Sequence, residues 1–153
     1  MALAQHHGIP TRLLDWTYNP YVAAYFAAKS VVEKKELQGE GKELAVWITQ
    51  QHAFTSRGLK LIKVPSAITP NLSAQQGFFS LLKSIPELGD ESDVLNLIRA
   101  NVWKVMLPSC LAAELMERCR DLNISAATMF PGYDGAAMAV REALLINRFG
   151  NKL

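Results

Sequence analysis

Apolar and polar positions recur along this chain with two different periods, and each change of period marks an element. Val22, Tyr25, Phe26 and Val32 fall on one side at spacings of three, four and seven, which predicts a helix from Pro20 to about Glu36. Asn19 caps its free amides, Pro20 suits its first position, and alanines 23, 24, 27 and 28 permit close packing. Lys29, Glu33, Lys34 and Lys35 are read as its wet face and end. Upstream, Ala2 to His7 reads as the last turns of a helix ended by Gly8 and Pro10. Thr11 to Trp16 then reads as a short strand or extended segment, with Leu13 and Leu14 buried.

Downstream the period shortens. Leu44 to Thr49 is β-rich and nearly all apolar, which predicts a central strand. Leu59 to Val64 sets Leu59, Leu61 and Ile62 against Lys60 and Lys63, a strand with one exposed face. Ser66 to Ser73 reads as a loop, and Gly77 to Lys83 and Val102 to Leu107 read as further strands. Ser84 to Ser92 is acidic and turn-rich, and Val94 to Ile98 fits a strand edge or a short helix. Ser109 then caps a predicted helix over 110–122 with Leu111, Leu115, Cys119 and Leu122 inward, closed by Asn123. Ile124 to Phe130 is expected to be extended. A turn follows at Pro131-Gly132-Tyr133, and Asp134 caps a last helix, 135–148, with Val140, Leu144 and Leu145 inward. The sum predicts an α+β fold: a mostly antiparallel sheet of four to six strands with flanking helices.

Length adds that the 153 residues form a single domain. Charge removes two partners. With 16 basic and 14 acidic residues, nothing invokes nucleic acid or an anionic membrane. No apolar run approaches the roughly 20 residues of a membrane span, and the N-terminus lacks the pattern of a signal peptide. Cys110 and Cys119 lie nine residues apart in one predicted helix, about 13 Å and too far for a disulfide. Both are read as packing residues, and Trp16, Trp47 and Trp103 as core. Five methionines and two unpaired thiols fit a reducing compartment, the cytoplasm.

Candidate chemistry concentrates in Gln5-His6-His7-Gly8-Ile9-Pro10-Thr11-Arg12-Leu13-Leu14-Asp15-Trp16. A helix end would deliver Gln5 and His6 beside a strand carrying Thr11, Arg12 and Asp15. Donors, a fixed cation and a carboxylate suit a polar ligand. The competing reading is structural: a buried Arg12–Asp15 pair, Trp16 as an anchor, and a turn at Gly8 and Pro10. Gln75-Gln76-Gly77 is a second candidate, where glycine permits close approach of a ligand or chain, or merely opens a strand. Phe130-Pro131-Gly132-Tyr133-Asp134-Gly135 is a third, though a helix cap at Asp134 explains it. No phosphate-binding glycine loop, zinc ligand set or nucleophile elbow is present, so no metal site is assigned.

Taken in order, these stretches resemble the FRG domain family. Leu3 to Thr17 is similar to its hallmark, which typically reads Ala-Gln-His-Tyr-Gly-Leu-Pro-Thr-Arg-Leu-Leu-Asp-Trp-Thr, with His7 where an aromatic is commoner. Asn19-Pro20 and the Ala-rich helix with Tyr25-Phe26-Ala27 also match. Gln75-Gln76-Gly77-Phe78-Phe79 resembles the family's Gln-x-Gly-x-Phe strand, and residues 130–135 its Phe-Pro-Asp-Leu-Asp-Gly turn. The aromatic-Arg-Gly motif that names the family is missing. Ser56-Arg57-Gly58 lies in the wrong place and lacks the aromatic, so the chain is expected to be an FRG domain lacking its N-terminal part.

The resemblance implies, by analogy with ADP-ribosyltransferases, a cleft for a nucleotide-type ligand, NAD or ADP-ribose. Gln5, His6, Thr11, Arg12 and Asp15 would line it. Gln75 would stand at the glutamate position, where an amide cannot act as a general base. Catalysis is therefore expected to be poor, no catalytic residue is assigned, and NAD enters only as a possible substrate. The alternative is a non-catalytic remnant or protein-interaction module in which this segment is structural. A domain lacking a strand would also expose an edge through which it could form a homodimer.

Overall fold

Five strands and five helices make up the computed structural model over its described residues, 13–51, 59–63, 70–82 and 102–150. The strands are β1 (Leu13–Thr17), β2 (Glu43–Thr49), β3 (Leu59–Ile62), β4 (Gly77–Leu82) and β5 (Val102–Pro108). The helices are α1 (Pro20–Glu33), α2 (Pro70–Ala74), α3 (Ala112–Asp121), α4 (Ala126–Met129) and α5 (Tyr133–Gly150). The expectations for Ala2–His7, Ser84–Ser92 and Val94–Ile98 lie outside the described residues.

The fold is α+β, and its strands form two antiparallel sheets. One has the order β1-β4-β3, with Phe79 of β4 opposite both Asp15 and Ile62. The other is a ribbon of β2 and β5, in register Val46 to Val105. Helix α1 joins the parts, packing on α3 and α5 and touching β1 and β2. Its start is as the sequence requires: Asn19 is extended and its Oδ1 accepts from the Tyr21 amide at 3.0 Å, ahead of Pro20. Val22, Tyr25, Ala28, Val31 and Val32 point inward and meet Met116, Cys119, Met129 and Ile146. Asn123 takes a left-handed φ of 60°, ending the segment after α3 as expected.

Several expectations are corrected. β2 is not central: Trp47 and Ile48 are exposed, as is Trp103 on β5. An apolar run records no information about whether a second layer is available to cover it. Leu13 is buried but Leu14 is not, and Cys110 is exposed while Cys119 is buried. On α3 the inward residues are Ala112, Ala113, Met116 and Cys119, with Leu111 and Leu122 outside. Cys119 is buried and Leu115 packs against the core as expected, while small alanines in place of Leu111 and Leu122 allow α1 and α3 to approach. Ser109 belongs to a single 3-10 turn, and its hydroxyl donates to the Gly39 carbonyl at 3.1 Å instead of capping α3. Residues expected to be extended before Phe130 form α4, held by a reciprocal Ser125–Thr128 capping box. The loop expected before Ser73 contains α2. Finally, α5 turns Gly135, Glu142 and Ile146 inward and leaves Val140 and Leu144 outside.

Among the described residues no helix is long and apolar enough to cross a membrane.

Candidate functional site

The end of β1 is fastened to the start of β4 by side chains that the sequence sets three residues from a helix start. Trp16 Nε1 donates to Ser80 Oγ at 2.9 Å, so the indole is oriented by a buried hydroxyl in the middle of the sheet. Thr17 Oγ1 donates to the Gln75 carbonyl at 2.7 Å and accepts from the Asn19 amide at 3.0 Å. The Tyr18 amide donates to the Gln76 carbonyl at 3.1 Å, and the Tyr18 ring stacks on Phe78 with centroids 4.4 Å apart. Gln76 has a left-handed φ of 49°. At Gly77 an added Cβ would lie 2.5 Å from Leu72 Cδ1, so this glycine lets β4 begin directly against α2.

Gln75 then reaches across to the third motif. Its Nε2 donates to the Met129 carbonyl at 3.1 Å, immediately before the Phe130-Pro131-Gly132 turn. Gly135 fits beneath that turn because it has no side chain: a Cβ there would come within 1.8 Å of the Phe130 carbonyl oxygen. Phe130 meets Phe26 of α1 edge to face at 6.1 Å. Three stretches separated by more than fifty residues each thus form one corner.

Behind the corner lies a polar cluster that sequence reasoning missed. Glu142 is 6% exposed. Its Oε1 accepts from Tyr25 Oη at 2.6 Å and from Lys29 Nζ, and its Oε2 accepts from the Ala126 amide at 3.3 Å. Lys29 also pairs with Glu33 at 3.4 Å and lies about 6.0 Å from the ring centres of Tyr25 and Phe130. Burial, and next the bond to Glu142, push the Tyr25 phenol far above its ordinary value. Burial also pushes the Cys119 thiol up, which keeps it protonated and unreactive. The signals for this cluster were present: Tyr25 and Lys29 are one turn apart, and Glu142 interrupts the spacing of apolar residues on α5. Neither signal points to the other, since spacing alone puts Lys29 on the solvated side of α1 and Tyr25 on the core side. With three protein donors on its carboxylate, Glu142 ties α1, the start of α4 and α5 together.

Of the six candidate ligand residues, Gln5, His6, Thr11 and Arg12 lie outside the described residues. Asp15 is exposed on β1, opposite Phe79. Gln75 is half-buried, and its side chain serves the fold through Met129. A separate cleft of about 510 Å³, lined by Gly39, Lys42, Cys110 and Phe149 among others, shares no residue with this corner. Among the described residues no three His, Cys, Asp or Glu side chains are placed to hold a metal ion.

No curated protein and no solved structure matches the chain. Its first 36 residues, from the Gln-His segment through the end of α1, match the FRG domain family.

Proposed function

We propose that residues 1–153 form one FRG domain that binds a nucleotide-type ligand, NAD or ADP-ribose, and turns it over poorly or not at all. The observation that carries this reading is the meeting of the three family-like stretches at one corner, through Thr17–Gln75 and Gln75–Met129. Such bonding supplies the rigid support that a binding constellation needs. Gln5, His6, Thr11 and Arg12 would provide donors and a cation for phosphate, and Asp15 an acceptor for a ribose hydroxyl. The weak-catalysis half rests on Gln75, an amide engaged with the backbone at the place where the analogous transferases carry an acid. The relation to ADP-ribosyltransferases is part of the proposal. Two unpaired thiols support a reducing, cytoplasmic setting.

Titration calorimetry with NAD and with ADP-ribose should give a saturable heat, while incubation with NAD should release little or no nicotinamide. Absence of heat for both ligands, with no nicotinamide released, would remove this reading.

A second reading, a non-catalytic remnant or interaction module, is favoured by the internal commitments of Trp16, Thr17 and Gln75. Arg12→Ala separates the two. If Arg12 is half of a buried pair, its loss costs about 3–5 kcal/mol and the melting temperature falls markedly. If Arg12 contacts a ligand, binding is lost and the melting temperature is nearly unchanged.

A further inference from the structure

At the motif corner one aromatic ring is fixed in place and left half open. The Tyr18 ring stacks on buried Phe78 at an interplanar angle of 27°, yet Tyr18 is 46% exposed. Its backbone is tied as well, through the amide that donates to Gln76. Register puts Trp16 and Phe78 on the same side of the β1-β4-β3 sheet as this ring, and Asp15, opposite Phe79, on the other side. A lysine from the third strand joins them. Lys63 directly follows β3, is exposed, and sets its Nζ 5.3 Å from the centre of the Tyr18 ring. Among the described residues no carboxylate forms an ion pair with it.

We propose that Tyr18 and Lys63 form a base-and-phosphate subsite for an adenine nucleotide, the ring stacking on the base and the ammonium holding the adjoining phosphate. The inference rests on the nucleotide reading above and adds to it two residues that the reading does not use.

Three features select this ligand chemistry. Phe78 supports one face of the ring and holds its plane, so a base arriving on the other face meets a platform whose ordering cost is already met. The charge of Lys63 is not cancelled by an acid, and its contact with an exposed ring is weak beside the charge-assisted bonds that a phosphate offers. The two groups are also close together. In a nucleotide only the sugar separates base from phosphate, so a ring and an amine this near each other serve one nucleotide. A bare phosphate would leave the ring unused, and an uncharged aromatic ligand would leave the lysine unused.

Titration calorimetry with ADP-ribose on the full chain tests this with two variants. Lys63→Ala removes the cation and should weaken binding by about tenfold or more. Its affinity should also fall less steeply with added salt than that of the unaltered protein, a change that a merely structural lysine would not produce. Tyr18→Leu keeps an apolar contact for Phe78 but removes the platform, and should weaken binding by about fivefold or more. Lys63→Arg and Tyr18→Phe, which keep the charge and the ring, should bind nearly as the unaltered protein does. Saturable heat whose affinity is unchanged in either Lys63→Ala or Tyr18→Leu would overturn this inference and leave the nucleotide reading standing. No heat from the unaltered protein with ADP-ribose or NAD would remove both.

Discussion

The motif corner and the β2–β5 ribbon treat polarity in opposite ways. At the corner, polar groups are taken out of water and given partners: Trp16 has Ser80, Gln75 has Met129, and Glu142 has Tyr25, Lys29 and Ala126. Along the ribbon, apolar groups are left in water, with Trp47 and Trp103 about half exposed. A buried polar network is costly to break because each orphaned group loses its solvation. An exposed apolar side chain is cheap to replace, since little burial is lost with it. Stability should therefore be concentrated at the corner rather than at the ribbon.

The sharpest way to break this contrast is Glu142→Ala. It leaves the Tyr25 hydroxyl without its acceptor and Lys29 with Glu33 alone, and should cost about 3–5 kcal/mol in urea unfolding. A loss below ~1 kcal/mol, the range of exposed ion pairs, would show that water already serves these groups.

Tyr25→Phe comes next. It removes a hydrogen bond to a charged acceptor and should cost about 1.5–3 kcal/mol at neutral pH. It should also alter the alkaline limb. Because the folded phenol titrates above its unfolded value, its contribution is complete below about pH 10 and declines as pH rises further, where the unfolded chain gives up this proton first. The gap between the two proteins should thus be constant below about pH 9 and narrow above about pH 10. A gap that widens instead would reverse the sign assigned here.

Gln75→Leu frees the Met129 carbonyl and should cost about 1 kcal/mol. Thermal melts of dilute protein measure it, and a neutral outcome would argue that Gln75 is held for a ligand rather than for the fold. Trp103→Thr should have the smallest effect on the monomer, within about 0.5 kcal/mol in dilute solution. A loss comparable to that of Glu142→Ala would place Trp103 in the core after all and erase the contrast.

What the sequence disclosed follows the same division. Local signals were legible. Asn19-Pro20 started α1, Pro108 stopped β5, and Asn123 closed the segment after α3, each by a conformational preference of the residue itself. The α+β class and the antiparallel strands followed from periodicity. Partner-dependent facts were not legible. Nothing within Leu44–Thr49 shows that no layer covers Trp47, and nothing within α5 shows that Glu142 faces Tyr25 across 117 positions. On α3 and α5 the expected Leu115, Cys119 and Leu145 do pack on the core, while Leu111, Leu122, Val140 and Leu144 stand outside where alanine, glycine and glutamate make the contacts. At the candidate site, residue types identified the stretches that meet. They did not reveal that Gln75 would turn its amide toward the backbone.

The Glu142 cluster also constrains the order in which the chain can fold. Its donors at positions 25 and 29 precede the acceptor by 117 and 113 residues. On a growing chain α1 is made long before α5 exists, so Tyr25 and Lys29 must wait in water until α5 arrives. Contacts of such separation form late, since closing the intervening loop costs entropy before the contact repays it. The segment that matches the FRG domain is thus synthesised well before the helix that completes its inward face.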